Sequence, residues 1–148
     1  MTRVECGDWL LDVDVVATQA AYSTIARGDP ETCGCLYCRN FAAAREIAYP
    51  ETVQSFYKQL GISPDREAET YEAGSVEDGR HHYGGWHHFI GQIVRSASST
   101  VEIAPCFSVW FQKSKSCAEP VFHDVPDVVQ VEFFTLLPWL IAQRPDST

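Results

Sequence analysis

Three cysteines within six residues carry the densest chemistry in the sequence: Cys33-x-Cys35-x-x-Cys38. Cys35 and Cys38 are three apart, so on a helix their sulfurs share one face. With a helix starting near Leu36, Cys35 falls at its first turn. There the unpaired backbone N–H groups and the positive end of the dipole favour a thiolate, and Arg39 adds positive charge nearby. Thiolates so placed can do one of three things. They can bind Zn²⁺, which takes four ligands in a tetrahedron; a Cys-x-x-Cys pair supplies two and Cys33 a third. The fourth would be Cys6, Cys117 or a histidine, and His88 is the candidate taken here. They can exchange thiol and disulfide, although the usual setting for that is a motif following a strand, and here Asp29-Pro30-Glu31-Thr32 precedes it. Or they can pack inertly as small residues. A second Cys-x-x-Cys is missing.

The histidines form a second group, His81-His82-Tyr83-Gly84-Gly85-Trp86-His87-His88. In a regular strand His81 and His87 share one face, and His82 and His88 the other. Six residues of strand span about 20 Å, too far for one metal. One histidine completing the cysteine site, or His87 or His88 serving as base to a Cys35 nucleophile, are the chemical readings. The bland reading is half-buried aromatics in a sheet. Asp12 and Asp14 share a strand face and read as solvated. Nucleotide-binding glycine loops and a Gly-x-Ser-x-Gly elbow are absent from the sequence.

The 148 residues suit one domain spanning 1–148. With 20 acidic and 11 basic residues the formal charge is −9, which argues against nucleic acid or an anionic membrane as partner. It suits a basic protein partner steered by charge. Glu5 and Asp8 stand where an export signal would be apolar, so a cytoplasmic setting with reduced thiols is expected. The dispersed Cys106 lies in an apolar run and is expected to be a small buried residue.

These groups need elements to position them. Residues 9–15 alternate and read as a strand; from Val16 the spacing turns helical and ends at Gly28. A helix is expected from Leu36 to Ala48. Another follows Pro50, with Val53, Phe56, Tyr57 and Leu60 on one stripe. Strands are expected over 69–76, 81–94, 101–111 and 128–137, with Asp78-Gly79 turning the first pair. Gly84-Gly85 suggests a bulge or a close approach. The expected fold class is α+β: two or three early helices on an antiparallel sheet of about five strands.

Cys35-x-x-Cys38-Arg39-Asn40-Phe41, Leu60-Gly61-Ile62, Tyr83-x-Gly85-Trp86-x-His88-Phe89-x-Gly91 and Pro138-Trp139 together resemble a group of small uncharacterised bacterial proteins. The resemblance spans about residues 30–140 and implies no activity, cofactor or partner. It does imply that Cys35, Cys38, Asn40 and the Gly-Trp-x-His segment belong to one pattern and meet in space. Cys33 is extra to that pattern. Two functions are therefore expected as alternatives. One is a thiol or zinc site of mainly structural role at Cys33, Cys35, Cys38 and His88. The other is an acidic interaction module, such as a regulator or toxin-neutralising partner, without a catalytic site.

Overall fold

The structure is a computed structural model and describes residues 1–117 and 119–145. The chain opens with a hairpin, β1 (Thr2–Cys6) and β2 (Trp9–Val13), in which Arg3 pairs with Asp12 at 2.8 Å. The strand stops at Val13 because Asp14 takes another role. Its carboxylate accepts the Ala17 N–H at 3.0 Å and caps α1 (Val15–Tyr22). That helix ends at Tyr22, not at Gly28. The hydroxyls of Ser23 and Thr24 donate back to the Ala20 and Ala21 carbonyls and close it. Gly28 instead precedes a separate short helix, α2 (Asp29–Cys33), with a proline in its first turn.

The helix expected from Leu36 to Ala48 is two: α3 (Leu36–Ala43) and α4 (Arg45–Ala48). At Ala44 the backbone leaves the helical region, with φ −94° and ψ 6°, and this turn re-aims Arg45 toward the interior. The next helix, α5 (Glu51–Leu60), buries Val53, Phe56, Tyr57 and Leu60, the stripe its spacing predicts.

The remaining strands are β3 (Glu69–Ser75), β4 (His81–Arg95), β5 (Val101–Ala104), β6 (Phe107–Lys113) and β7 (Val128–Leu137). The sheet is antiparallel, in the order β1-β2-β4-β7-β6-β5, with β3 also paired to β4. The class is α+β as expected, but with seven strands and five α-helices among the described residues. The two strands beyond five come from the first residues and from the middle of the 101–111 run. Thr2–Cys6 is a strand that its polar composition conceals. The run over 101–111 folds into a hairpin at Cys106, which is exposed with φ 63° rather than buried in a strand.

β4 organises the sheet. β7 pairs along one edge of it without a break, from His81↔Leu137 to Ile90↔Val128, so Gly84-Gly85 makes no bulge there. The glycines serve a close approach instead: the Tyr71 ring lies against Gly84 and the Phe133 ring against Gly85. The other edge of β4 is shared. β3 covers His81–Trp86 and β2 covers Gly91–Arg95. Between them α1 supplies the partners that buried amides require. Thr18 Oγ1 accepts the Ile90 N–H at 3.0 Å, Tyr22 Oη accepts the His88 N–H at 2.9 Å, and the Asp14 N–H donates to the Ile90 carbonyl at 2.8 Å.

The core forms where the sheet's inner face meets the helices. Tyr83, His87 and Phe89 of β4 and Phe133 of β7 face Phe41, Tyr49 and Tyr57. Phe107 stacks on Phe133 with centroids 5.6 Å apart. The sheet curls enough that Trp9 of β2 touches Trp110 and Phe111 of β6, at 5.0 and 5.3 Å.

Candidate metal centre

Cys33 ends α2, Gly34 reverses the chain and Cys35 caps α3. Gly34 has φ 67° and ψ 8°, a left-handed conformation that costs glycine nothing and other residues energy. Its N–H donates to the Pro30 carbonyl at 3.1 Å. The last residue of one helix and the cap of the next thus lie side by side. Cys38, one turn on, joins them. The three Sγ atoms lie within 4.8 Å of one another. Cys33 and Cys35 are exposed and Cys38 is buried.

Helices of five and eight residues are too short to persist alone. Tertiary bonds hold them. The Asp29 carboxylate accepts the Thr70 N–H at 3.0 Å, tying α2 to β3. Asn40, fully buried on α3, donates to the Pro138 carbonyl at 3.1 Å and accepts the Leu140 N–H at 2.7 Å. Tyr83 Oη donates to the Tyr37 carbonyl at 2.9 Å. The Tyr37 ring meets Trp139 edge-on at 5.8 Å.

A buried ion network lies behind α2. Arg45 grips Glu67, whose side chain is fully buried, through Nε–Oε2 and Nη2–Oε1 contacts of 3.1 and 2.9 Å. It also grips Glu31 of α2, at 2.6 and 3.0 Å. Tyr49 Oη donates to Glu67 at 2.7 Å. Burial pushes the Glu67 carboxyl above its ordinary range, and Arg45 only partly offsets that.

The thiols differ in their surroundings. Partial burial works to raise the Cys35 thiol. The backbone amide of Cys38, the Cys33 and Cys38 thiols and the Tyr37 amide outweigh it, so the thiol sits below the ordinary range. Burial pushes the Cys38 thiol well up, and hydrogen bonding with Cys33 and Cys35 adds to this while Thr70 opposes it. Cys38 Sγ lies 3.8 Å from Thr70 Oγ1, which in turn lies 3.3 Å from Asp29 Oδ2. A Cys38 thiol can donate to Thr70 while Thr70 donates to Asp29. A Cys38 thiolate or a metal-bound sulfur reverses the Thr70 hydroxyl, and Asp29 keeps the Thr70 N–H. Neither Thr70 nor Asp29 carries a sequence signal for this role; only the pairing of α2 with β3 reveals it.

His88 is not brought to the cluster. Its ring lies against Phe122 at 5.5 Å, on the face of β4 opposite His87. Among the described residues neither of its ring nitrogens has a hydrogen-bond partner. His87 Nε2 donates to the Pro64 carbonyl at 2.7 Å, with the Tyr57 and Phe133 rings beside it. Burial lowers both imidazoles to about 4, so both are neutral near pH 7. His81 Nδ1 is engaged with Glu72 at 3.1 Å. Cys6 is buried in the core, its thiol raised to about 11 by burial, and the Cys117 sulfur lies 3.1 Å from Ser114 Oγ. None of these joins the group of three.

Tetrahedral zinc, with Zn–S bonds of about 2.3 Å, spaces its sulfurs about 3.8 Å apart. Three sulfurs already within 4.8 Å need under an ångström of adjustment each, which two exposed side chains can make by χ1 rotation. No helix among the described residues is long and apolar enough to cross a membrane. No protein-family model matches the chain, and neither a curated protein nor a solved structure matches it.

Proposed function

We propose that Cys33, Cys35 and Cys38 hold one zinc ion whose role is mainly structural, fastening the α2–α3 junction to itself and to β3. The observation that carries this reading is the convergence of three sulfurs from two helices within 4.8 Å. Chemistry supports it: thiolates are the softest protein ligands, and three on a dipositive ion suit zinc. Thr70 beside Cys38 supplies the kind of outer hydrogen bond that orients a ligating sulfur. Elemental analysis of untagged protein, purified reduced, is expected to give about one zinc per chain. Cys33→Ser and Cys35→Ser, both at exposed positions, are expected to lose it while remaining folded. Wild-type protein that neither retains nor takes up zinc refutes the reading.

A second reading is a reversible Cys35–Cys38 disulfide. It is favoured by the placement of these two thiols at the cap and third residue of one helix, the buried one behind the exposed one. Alkylation followed by mass measurement, with and without reductant, separates it: a bridge protects two thiols only in the unreduced sample.

A further inference from the structure

We propose that the outer face of the sheet is a docking site for an arginine side chain on an extended segment of a partner protein, seated between Trp86 and Trp110 over Glu132. It is independent of the cysteine cluster.

Register builds the site. Trp86 of β4 and Trp110 of β6 both stand directly opposite Glu132 of β7, and Glu69 of β3 stands opposite Trp86. Directly opposed residues of antiparallel strands share a face. One cross-strand row therefore reads acid, indole, acid, indole, on the face of β4 that also carries His88. Phe122 covers that face at His88. Trp86, Glu132 and Trp110 stay half-buried, and Phe134, one step along β7 from Glu132, is exposed. The two indoles rise from backbones two strand spacings apart, about 10 Å. A cation seated midway falls within the distance of about 6 Å over which a ring face attracts it.

The carboxylate is positioned in advance. Gly84, on the same face, has no side chain, so the Tyr71 ring crosses β4 there and its hydroxyl donates to Glu132 Oε1 at 3.0 Å. Burial, aided by Glu132 and Glu69, pushes that hydroxyl up to about 12, so it stays protonated as a donor. Glu132 Oε2 has no hydrogen bond among the described residues. Tyr71 also packs on Trp86, with centroids 6.3 Å apart, and Trp9 meets Trp110 edge-on at 5.0 Å. Rings already held lose little freedom when a ligand arrives.

Charge and shape name the occupant. Glu102, opposite Ser108 in the next row, adds a third carboxylate to this face. The ion pairs among the described residues use Asp12, Glu31, Asp65, Glu67, Glu72 and Asp78, so Glu69, Glu102 and Glu132 have no cation. An anion would be repelled here, and a neutral ring would leave the acids unmatched. A guanidinium meets both needs: its plane stacks on indoles and its forked N–H groups fit a carboxylate, whereas a lysine ammonium is more strongly hydrated. The formal charge of −9 draws a basic partner in. Beside Phe134 lies an apolar hollow of about 510 Å³ that Leu136 and Tyr71 also line. An apolar side chain two residues from the arginine reaches it, because an extended segment advances about 6.6 Å in two residues, the step from Glu132 to Phe134.

The test is an NMR titration of the full chain with acetyl-Arg-Gly-Leu-amide, read at the indole N–H signals of its four tryptophans. Trp86→Phe and Trp110→Phe assign the two that matter. Those two are expected to move saturably while Trp139 stays in place. The matched citrulline peptide, which keeps the shape without the charge, is expected to bind about tenfold more weakly, as is the arginine peptide to Glu132→Gln. Glu132→Gln still accepts from Tyr71, so its spectrum without peptide should stay close to that of the wild type. Equal binding of the arginine and citrulline peptides overturns the proposal. So does a lysine peptide or tetramethylammonium that binds as tightly as the arginine peptide, because the site would then not select a guanidinium. A shift of the same two signals on raising the protein concentration alone also overturns it, since a second copy of the chain would then cover the face.

Discussion

His88 offers the sharpest test of the packing described above. Its ring is fully buried and is held at a pKa of about 4 by burial, against about 6.5 in an unfolded chain. Below pH 6.5 the unfolded state binds a proton that the folded state refuses. Stability is therefore complete above pH 6.5, falls as the pH drops toward 4, and falls no further below that. The slope from this one group is about 1.4 kcal/mol per pH unit. At pH 5 the loss is about 2 kcal/mol, a sizeable part of a total of roughly 5–15 kcal/mol. His87 adds a similar loss and the raised Glu67 carboxyl an opposing one, so the wild-type slope is a sum. His88→Leu isolates one component. It breaks no side-chain hydrogen bond, because the His88 N–H bonded to Tyr22 is backbone. Urea unfolding of reduced, chelator-treated wild type and His88→Leu should find the variant more stable already at pH 7.5, because it removes two unpartnered buried nitrogens, with its advantage growing by about 2 kcal/mol between pH 7.5 and pH 5. Parallel pH profiles between 6.5 and 4.5 would refute the claim that His88 is buried in its neutral form.

Two further outcomes follow from the positioning of the cluster. Arg45→Met leaves Glu67 buried with only Tyr49 as its side-chain partner and should cost roughly 3–5 kcal/mol by urea unfolding. The double variant with Glu67→Leu should recover much of that loss, and no recovery would show the cost to lie elsewhere. Gly34→Ala meets no neighbour but must adopt the left-handed conformation, so it should cost about 1–2 kcal/mol, and Gly34→Asn less; equal costs would point away from the backbone.

What could be read from the sequence was whatever depends on neighbours along the chain. The α5 stripe of Val53, Phe56, Tyr57 and Leu60 follows from helical periodicity alone, and Cys35 falls at the mouth of α3 because Leu36 begins the apolar stripe. Parity places His82 and His88 on one face of β4 and His87 on the other, and with β7 paired without a bulge that parity is preserved. Parity does not say what lies across each face. The choice of His88 as a ligand failed for that reason: Phe122, more than thirty residues later, fills the space. At α2, Asp29-Pro30-Glu31 signals a turn or a helix start and no more, because five residues with a proline in the first turn carry no period. The hairpin at Cys106 was missed because its φ of 63° has no residue-type signal when the residue is cysteine. The break at Ala44 likewise depends on Arg45 reaching Glu67, a contact no local pattern encodes.

The way α1 lies along β4 has a consequence for chain registration. Its two hydroxyls, four residues apart on one helical face, meet two amides two residues apart on the strand. A helix rises about 6 Å over four residues and a strand about 6.6 Å over two, so the two spacings match. The helix therefore acts as a gauge block against the longest strand. A slip of β4 by one residue would set Thr18 and Tyr22 against the wrong amides and turn Tyr83, His87 and Phe89 out of the core together. Phase along this strand is thus specified twice, by its apolar face and by a pair of hydroxyls reading its backbone.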